Sequence, residues 1–132
     1  MMYVLDTNSV VYFFKGMGRV SERLLNTPPR DVAIPAVVLY ELEVGIAKSS
    51  SPERRRSQLD ELVRLVQVLP FGPAEARVTG RIRADLERIG RPIGPLDFLI
   101  AGTALQYGAT LVTHNVDELG RVRGLQLEDW YV

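Results

Sequence analysis

Residues 3–16 read YVLDTNSVVYFFKG: an apolar run, a tight group of polar residues, then a second apolar run. Tyr3 to Leu5 is too short for a helix and suits a buried strand. Asp6, Thr7, Asn8 and Ser9 are residue types that cap helix N-termini by accepting backbone N–H groups, so Val10 to Phe14 is expected to continue as a helix. A buried strand running straight into a helix is the first half of a β-α-β unit, and it puts Asp6 at the carboxyl end of the first strand.

The same punctuation recurs outward from this stretch. Val32 to Ile34 is a short β-branched run halted by Pro35, with a helical stretch from Ala36 to about Lys48. Residues 51–67, SPERRRSQLDELVRLVQ, carry a Ser-Pro start and place Leu59, Leu62, Val63 and Val66 on one helical face. Gln67 to Leu69 reads as a third strand ended by Pro70 and Gly72. Pro73 opens a helix whose apolar side carries Val78, Ile82, Leu86 and Ile89 before Gly90 stops it. After the loop RPIGP, Pro95 suits the first position of a mostly apolar helix that ends at Gly108. Thr110 to Val112 is the fourth strand, a helical turn comes next at Asp117 to Leu119, and a last strand falls near Leu125 to Leu127. Short apolar strands alternating with helices predict an α/β fold: a three-layer sandwich with a short, mostly parallel sheet flanked by helices, residues 1–132 forming one domain.

Composition removes several function classes. The 132 residues contain no cysteine, which excludes disulfides, thiolate zinc sites and a cysteine nucleophile. Lys+Arg and Asp+Glu are 16 each, so no global basic excess marks a nucleic-acid binder and any polyanion must be met locally. No apolar run approaches the ~20 residues of a membrane span. The expected location is the cytoplasm, with no membrane partner.

In an open α/β sheet, ligands bind beyond the carboxyl ends of the strands, which makes acidic residues at that edge the candidates for chemistry. Asp6 is there by position; its bland alternative is a helix cap, although Ser9 or Asn8 could cap in its place. Glu41 lies among Val37, Val38, Leu42 and Gly45, inside the apolar stripe of its helix, where a carboxylate needs a cationic partner or a metal ion. Asp97 falls in the first turn of an apolar helix. Helix-dipole stabilisation would explain it alone, but a helix antiparallel to the fourth strand brings that turn to the edge occupied by Asp6. Asn115, Asp117 and Glu118 leave the same edge after the fourth strand. His114, the only histidine, reads as an ordinary loop residue, and no Ser/His/Asp or two-histidine zinc arrangement can be assembled. Converging carboxylates without histidine or cysteine suit hard cations, Mg²⁺ or Mn²⁺, and such ions favour phosphate chemistry by metal-activated water.

Four segments in order, VLDTNSVVYFFKG, IPAVVLYELEVGIAKS, RPIGPLDFLIAGTAL and TLVTHNVDELGRVRGLQLEDW, resemble the PIN-domain ribonucleases, and specifically the VapC-type toxins of bacterial toxin–antitoxin pairs. The resemblance implies a Mg²⁺-dependent endoribonuclease that acts on RNA, is neutralised by a VapB-like antitoxin whose tail enters the site, and forms a homodimer. It places Asp6, Glu41 and Asp97 on the family's metal-binding acids, with Thr7 and Asn8 orienting Asp6 from behind and Asn115 beside the fourth position. There the pattern departs: Asn115 stands where many members carry an aspartate, leaving Asp117 and Glu118 as candidate ligands. The alternative from another class is a catalytically inactive PIN-like module that binds RNA or protein. Receiver domains and haloacid-dehalogenase-like phosphatases also carry an acid after the first strand, but the latter want Asp-x-Asp where this chain has Asp-Thr-Asn.

Overall fold

The computed structural model describes residues 1–132. Strand β1 (Tyr3–Leu5) leads into α1 (Thr7–Lys15), then α2 (Val20–Leu25) and a 3-10 turn (Pro29–Asp31); β2 (Val32–Pro35) comes next, with α3 (Ala36–Lys48) and α4 (Pro52–Leu65) behind it. The second half runs β3 (Gln67–Leu69), α5 (Pro73–Arg88), α6 (Pro95–Gln106), β4 (Thr110–Val112), α7 (Val116–Leu119) and β5 (Gln126–Glu128). Proline opens α4, α5 and α6 at the position where its missing N–H costs nothing.

The strands form one sheet in the order β3-β2-β1-β4-β5, with every pairing parallel, including that of the edge strand β5. Tyr3 sits opposite both Val32 and Thr110, so β1 is the centre. Val4, Leu5, Ala33, Ile34, Leu111 and Val112 have no solvent-accessible surface, as expected for strands covered on both faces. The chain steps from β1 to β2 to β3, then crosses back to β4 and β5 on the other side of β1. Right-handed crossovers therefore put α1 to α4 on one face and α5 to α7 on the other. The direction reverses between β1 and β4, and the carboxyl ends of these strands are where an open α/β sheet binds its ligands.

The fold adds one element the sequence reading left unassigned and corrects one expectation. Between Gly16 and Asp31 lies α2, held by only two buried residues, Val20 and Leu24. Ile89, expected on the apolar side of its helix, is 63% exposed because α5 ends at Arg88 and the chain turns away.

Candidate active site

Asp6 is both the cap and the edge carboxylate. Its Oδ1 accepts the Ser9 N–H at 2.8 Å, so the cap is not ceded to Ser9 or Asn8. The Asp6 N–H donates to the Val112 carbonyl at 3.2 Å and the Ser9 hydroxyl donates to the same oxygen at 3.1 Å, which stitches the end of β1 to the end of β4. The fully buried Thr113 hydroxyl, which accepts the Asn115 N–H at 3.0 Å, is close enough to the Asp6 carboxylate to favour its ionised form. Only 8% exposed, Asp6 has its pKa raised chiefly by burial; bonds from Ser9 and Thr113 oppose the shift and the nearby Asp129 charge adds to it.

Thr7 does something other than expected. Its hydroxyl donates to Glu41 Oε1 at 2.5 Å, tying the start of α1 to α3, while Asn8 is exposed and makes no side-chain hydrogen bond. Successive helical side chains are turned by roughly 100°, so of the three residues after Asp6 only Ser9 points back at β4. Ser9 and Thr113, not Thr7 and Asn8, therefore orient Asp6. Glu41 itself is half-buried at the rim of its apolar stripe, whose buried members are Val38 and Leu42.

Asp97 stands in the first turn of α6, half-buried, with its Oδ2 over Gly94, where a Cβ would come within 3.1 Å of it. Burial raises its pKa first; the negative charges of Asp6, Glu118 and Glu41 raise it further, in that order. The carboxylates of Asp6, just past β1, of Glu41 on α3 and of Glu118 on α7 are thus near enough to Asp97 on α6 to act on it through their charges. Glu118 is the member from α7: it is half-buried and Asn115 Nδ2 donates to its Oε2 at 3.0 Å. Asp117, on the same short helix, is exposed.

No salt bridge reaches Asp6, Glu41, Asp97 or Glu118. No three of them close around one point as a finished cation site, as mutually repelling carboxylates would not. An all-oxygen, unneutralised donor set nevertheless has the chemistry of a hard divalent cation and not of zinc. From Thr7 and Glu41 a cleft of about 390 Å³ continues between α1 and α3, with Val11, Phe14 and Ile46 as apolar wall and Lys15 and Arg55 as basic lining. A second cavity, about 570 Å³, lies along α5 and holds none of these acids.

Sequence patterning missed Ser9, Thr113 and Asp129. Asp129 lies just past β5, and its Oδ2 is 2.9 Å from His114 Nδ1. Its position beside Asp6 depends on parallel pairing of the edge strand, which no local pattern carries.

The fold has known counterparts. A family model described as PIN domain matches residues 3–125. The tRNA(fMet)-specific endonuclease VapC of Shigella flexneri is 40% identical over 128 residues, 97% of each chain. Among solved structures, the VapBC2 complex of Rickettsia felis bound to a promoter DNA fragment superposes with a TM-score of 0.91 at 36% identity, covering 98% of this chain and 99% of that one. The DNA-bound VapBC of Salmonella typhimurium matches with the same TM-score, 0.91, at 36% identity over 98% of both chains. The chain belongs to the PIN-domain family, among its VapC ribonucleases.

Proposed function

We propose that this ribonuclease hydrolyses a phosphodiester of transfer RNA using a divalent cation, Mg²⁺ or Mn²⁺, held by Asp6, Glu41, Asp97 and Glu118. The observation that carries the reading is the gathering of these carboxylates at the β1/β4 switch point with no arginine or lysine paired to any of them. Unpaired charges at a partly buried edge are costly, so a cationic ligand is what the arrangement lacks. Such an ion supplies charge neutralisation at the phosphate and lowers the pKa of water, so no protein nucleophile is required. The residues present do the positioning. Ser9 and Thr113 fix the Asp6 carboxylate, the Thr7 hydroxyl fixes Glu41, and Asn115 fixes Glu118. Transfer RNA is the substrate class because the Shigella relative is named for one.

The same reading assigns a VapB-like antitoxin as the partner, supported by the VapBC complexes among the structural relatives, and takes a homodimer as the working form from the family resemblance. The cleft beside Glu41 suits an antitoxin segment that pairs an apolar side chain with a basic one, the first against Val11, Phe14 and Ile46 and the second against the acids.

Asp6→Asn tests the reading. The variant should retain its fold but lose cleavage of an initiator-tRNA transcript by more than about a hundredfold, since even residues behind metal ligands are worth 10–100-fold. Mg²⁺ at a hundred times its Kd should stabilise the wild type by about 2.7 kcal/mol and the variant far less. Undiminished cleavage by Asp6→Asn, or no thermal response to Mg²⁺ or Mn²⁺ in the wild type, would overturn it.

A further inference from the structure

His114 comes directly after Thr113, whose hydroxyl lies close to the Asp6 carboxylate, and so stands at the carboxyl edge of β4 beside the acidic site. For a side chain that is 42% exposed it is unusually constrained. Nδ1 lies 2.9 Å from Asp129 Oδ2; the Tyr131 ring stacks on the imidazole at 4.3 Å and 24°; Tyr12 meets it edge-on at 6.1 Å. Tyr12 also packs on Tyr131 at 4.8 Å, and Asp129 is fixed in turn by accepting the Tyr131 N–H at 2.9 Å. Exposed side chains ordinarily keep their rotamer freedom, so three mutually supporting restraints on one imidazole hold it ready for an external contact.

The tautomer sets the chemistry of that contact. An ionised carboxylate only accepts hydrogen bonds, so in the neutral imidazole the contact with Asp129 places the proton on Nδ1 and leaves Nε2 as an acceptor. A nucleic-acid backbone offers phosphate and ether oxygens, all acceptors, and one donor: the ribose 2′-hydroxyl, present in RNA and absent from DNA. The carboxylates nearby are acceptors committed to a cation in the proposed reaction.

We infer that His114 Nε2, positioned by Asp129 and Tyr131, accepts a hydrogen bond from the 2′-hydroxyl of a nucleotide flanking the scissile phosphate, making His114 a residue that helps select RNA over DNA. The inference rests on the proposed RNA hydrolysis and adds a specificity contact to it. Asp129 acts through His114 as a positioning residue.

The test is a cycle between protein and substrate. After mapping the cut in an initiator-tRNA transcript, single 2′-deoxynucleotides are placed one at a time on either side of it, and kcat/KM is measured for the wild type, His114→Leu and His114→Gln. At one position the deoxy substitution should slow the wild type about three- to tenfold, the worth of one net hydrogen bond. His114→Leu should slow the all-ribose substrate by a similar factor and show no further deoxy penalty there; His114→Gln, which keeps an acceptor, should retain the penalty. A purely structural role would make the two losses multiply, and multiplicative losses at every position overturn the inference while leaving RNA hydrolysis intact. If the wild type cleaves no RNA, the proposed reaction and this contact fall together. Should His114→Leu unfold, His114→Phe, which keeps a ring against Tyr131 but has no acceptor, takes its place and should likewise show no further deoxy penalty.

Discussion

At the scale of single residues, the acidic edge stores repulsion that a ligand can relieve. Asp6 and Asp97 both have pKa values raised above the usual aspartate value of 3.8, Asp6 mainly by burial and Asp97 by burial and then by its acidic neighbours. An acid that binds its proton more tightly when folded makes the folded state gain stability as pH falls through the folded pKa; the cost is present in full while the group is ionised. The shifted surface acids, Glu22 and Glu43, work the other way. Their pKa values are lowered from 4.5 by Arg19 and Arg56, so the stability they contribute is present above 4.5 and lost only at lower pH. The metal-free protein should therefore gain Tm as pH falls from neutrality toward 4.5, through the raised pKa values of Asp6 and Asp97, and Asp97→Asn should flatten the rise. Saturating Mg²⁺ should reverse the trend, because protons then compete with the ion for the same oxygens. A metal-free Tm that falls steadily on acidification from neutrality would contradict the assignment.

Among the elements, α6 carries the heaviest demand, since its first turn presents Asp97 and its body packs on α5. Gly102 makes that packing possible: a Cβ there would lie 1.8 Å from Thr79 Oγ1 and 2.8 Å from Thr79 Cβ. Both residues are buried, and the Thr79 hydroxyl has no hydrogen-bond partner, so neither can move into solvent. Gly102→Ala should cost about 1–3 kcal/mol in urea unfolding, and Thr79→Ala should recover part of it by removing the nearest atom. A neutral Gly102→Ala would mean that the helices are not in close contact. Punctuation decides how far such elements can be read from sequence. Pro35, Pro52, Pro73, Pro95 and Gly90 bracket helices long enough for a full periodic face, and α3 to α6 are legible for that reason. Helix α2, six residues long, is too short to show a period. The site divides in the same way. Asp6 and Asp97 emerge from edge logic applied to whole elements and Glu41 from its place in an apolar stripe, whereas separating Glu118 from Asp117 depends on the phase of a four-residue helix. The role of Thr7 escapes sequence reading because a one-residue step along α1 turns its side chain from Asp6 to Glu41.

Across the whole molecule, the order β3-β2-β1-β4-β5 brings the first and last parts of the chain side by side, and the edge strand keeps them together. Beyond β5 the chain forms a clasp. Trp130, 2% exposed, packs against Tyr3 of β1 with ring centroids 5.3 Å apart, and its Nε1–H donates to Glu128 Oε1 at 2.9 Å. Arg23 of α2 lies over the same indole at 5.6 Å and also bonds Glu128 at 3.1 Å, while the Tyr131 carbonyl accepts the Arg19 N–H at 3.0 Å. The clasp joins β5 to β1 and α2 and fixes Asp129 and Tyr131, the two residues that hold His114. Trp130→Ala should therefore have two separable effects. Stability should fall by about 3–5 kcal/mol in urea unfolding, the usual cost of truncating a buried aromatic side chain. Cleavage, measured where the variant is still fully folded, should become less sensitive to 2′-deoxy substitution, because the imidazole loses its supports while the acidic edge is left in place. Phe71→Ala, at a residue already 37% exposed, is the control and should change neither quantity appreciably. If Trp130→Ala lost stability but kept the full deoxy penalty, the clasp would be structural alone and His114 would be held by Asp129 without it.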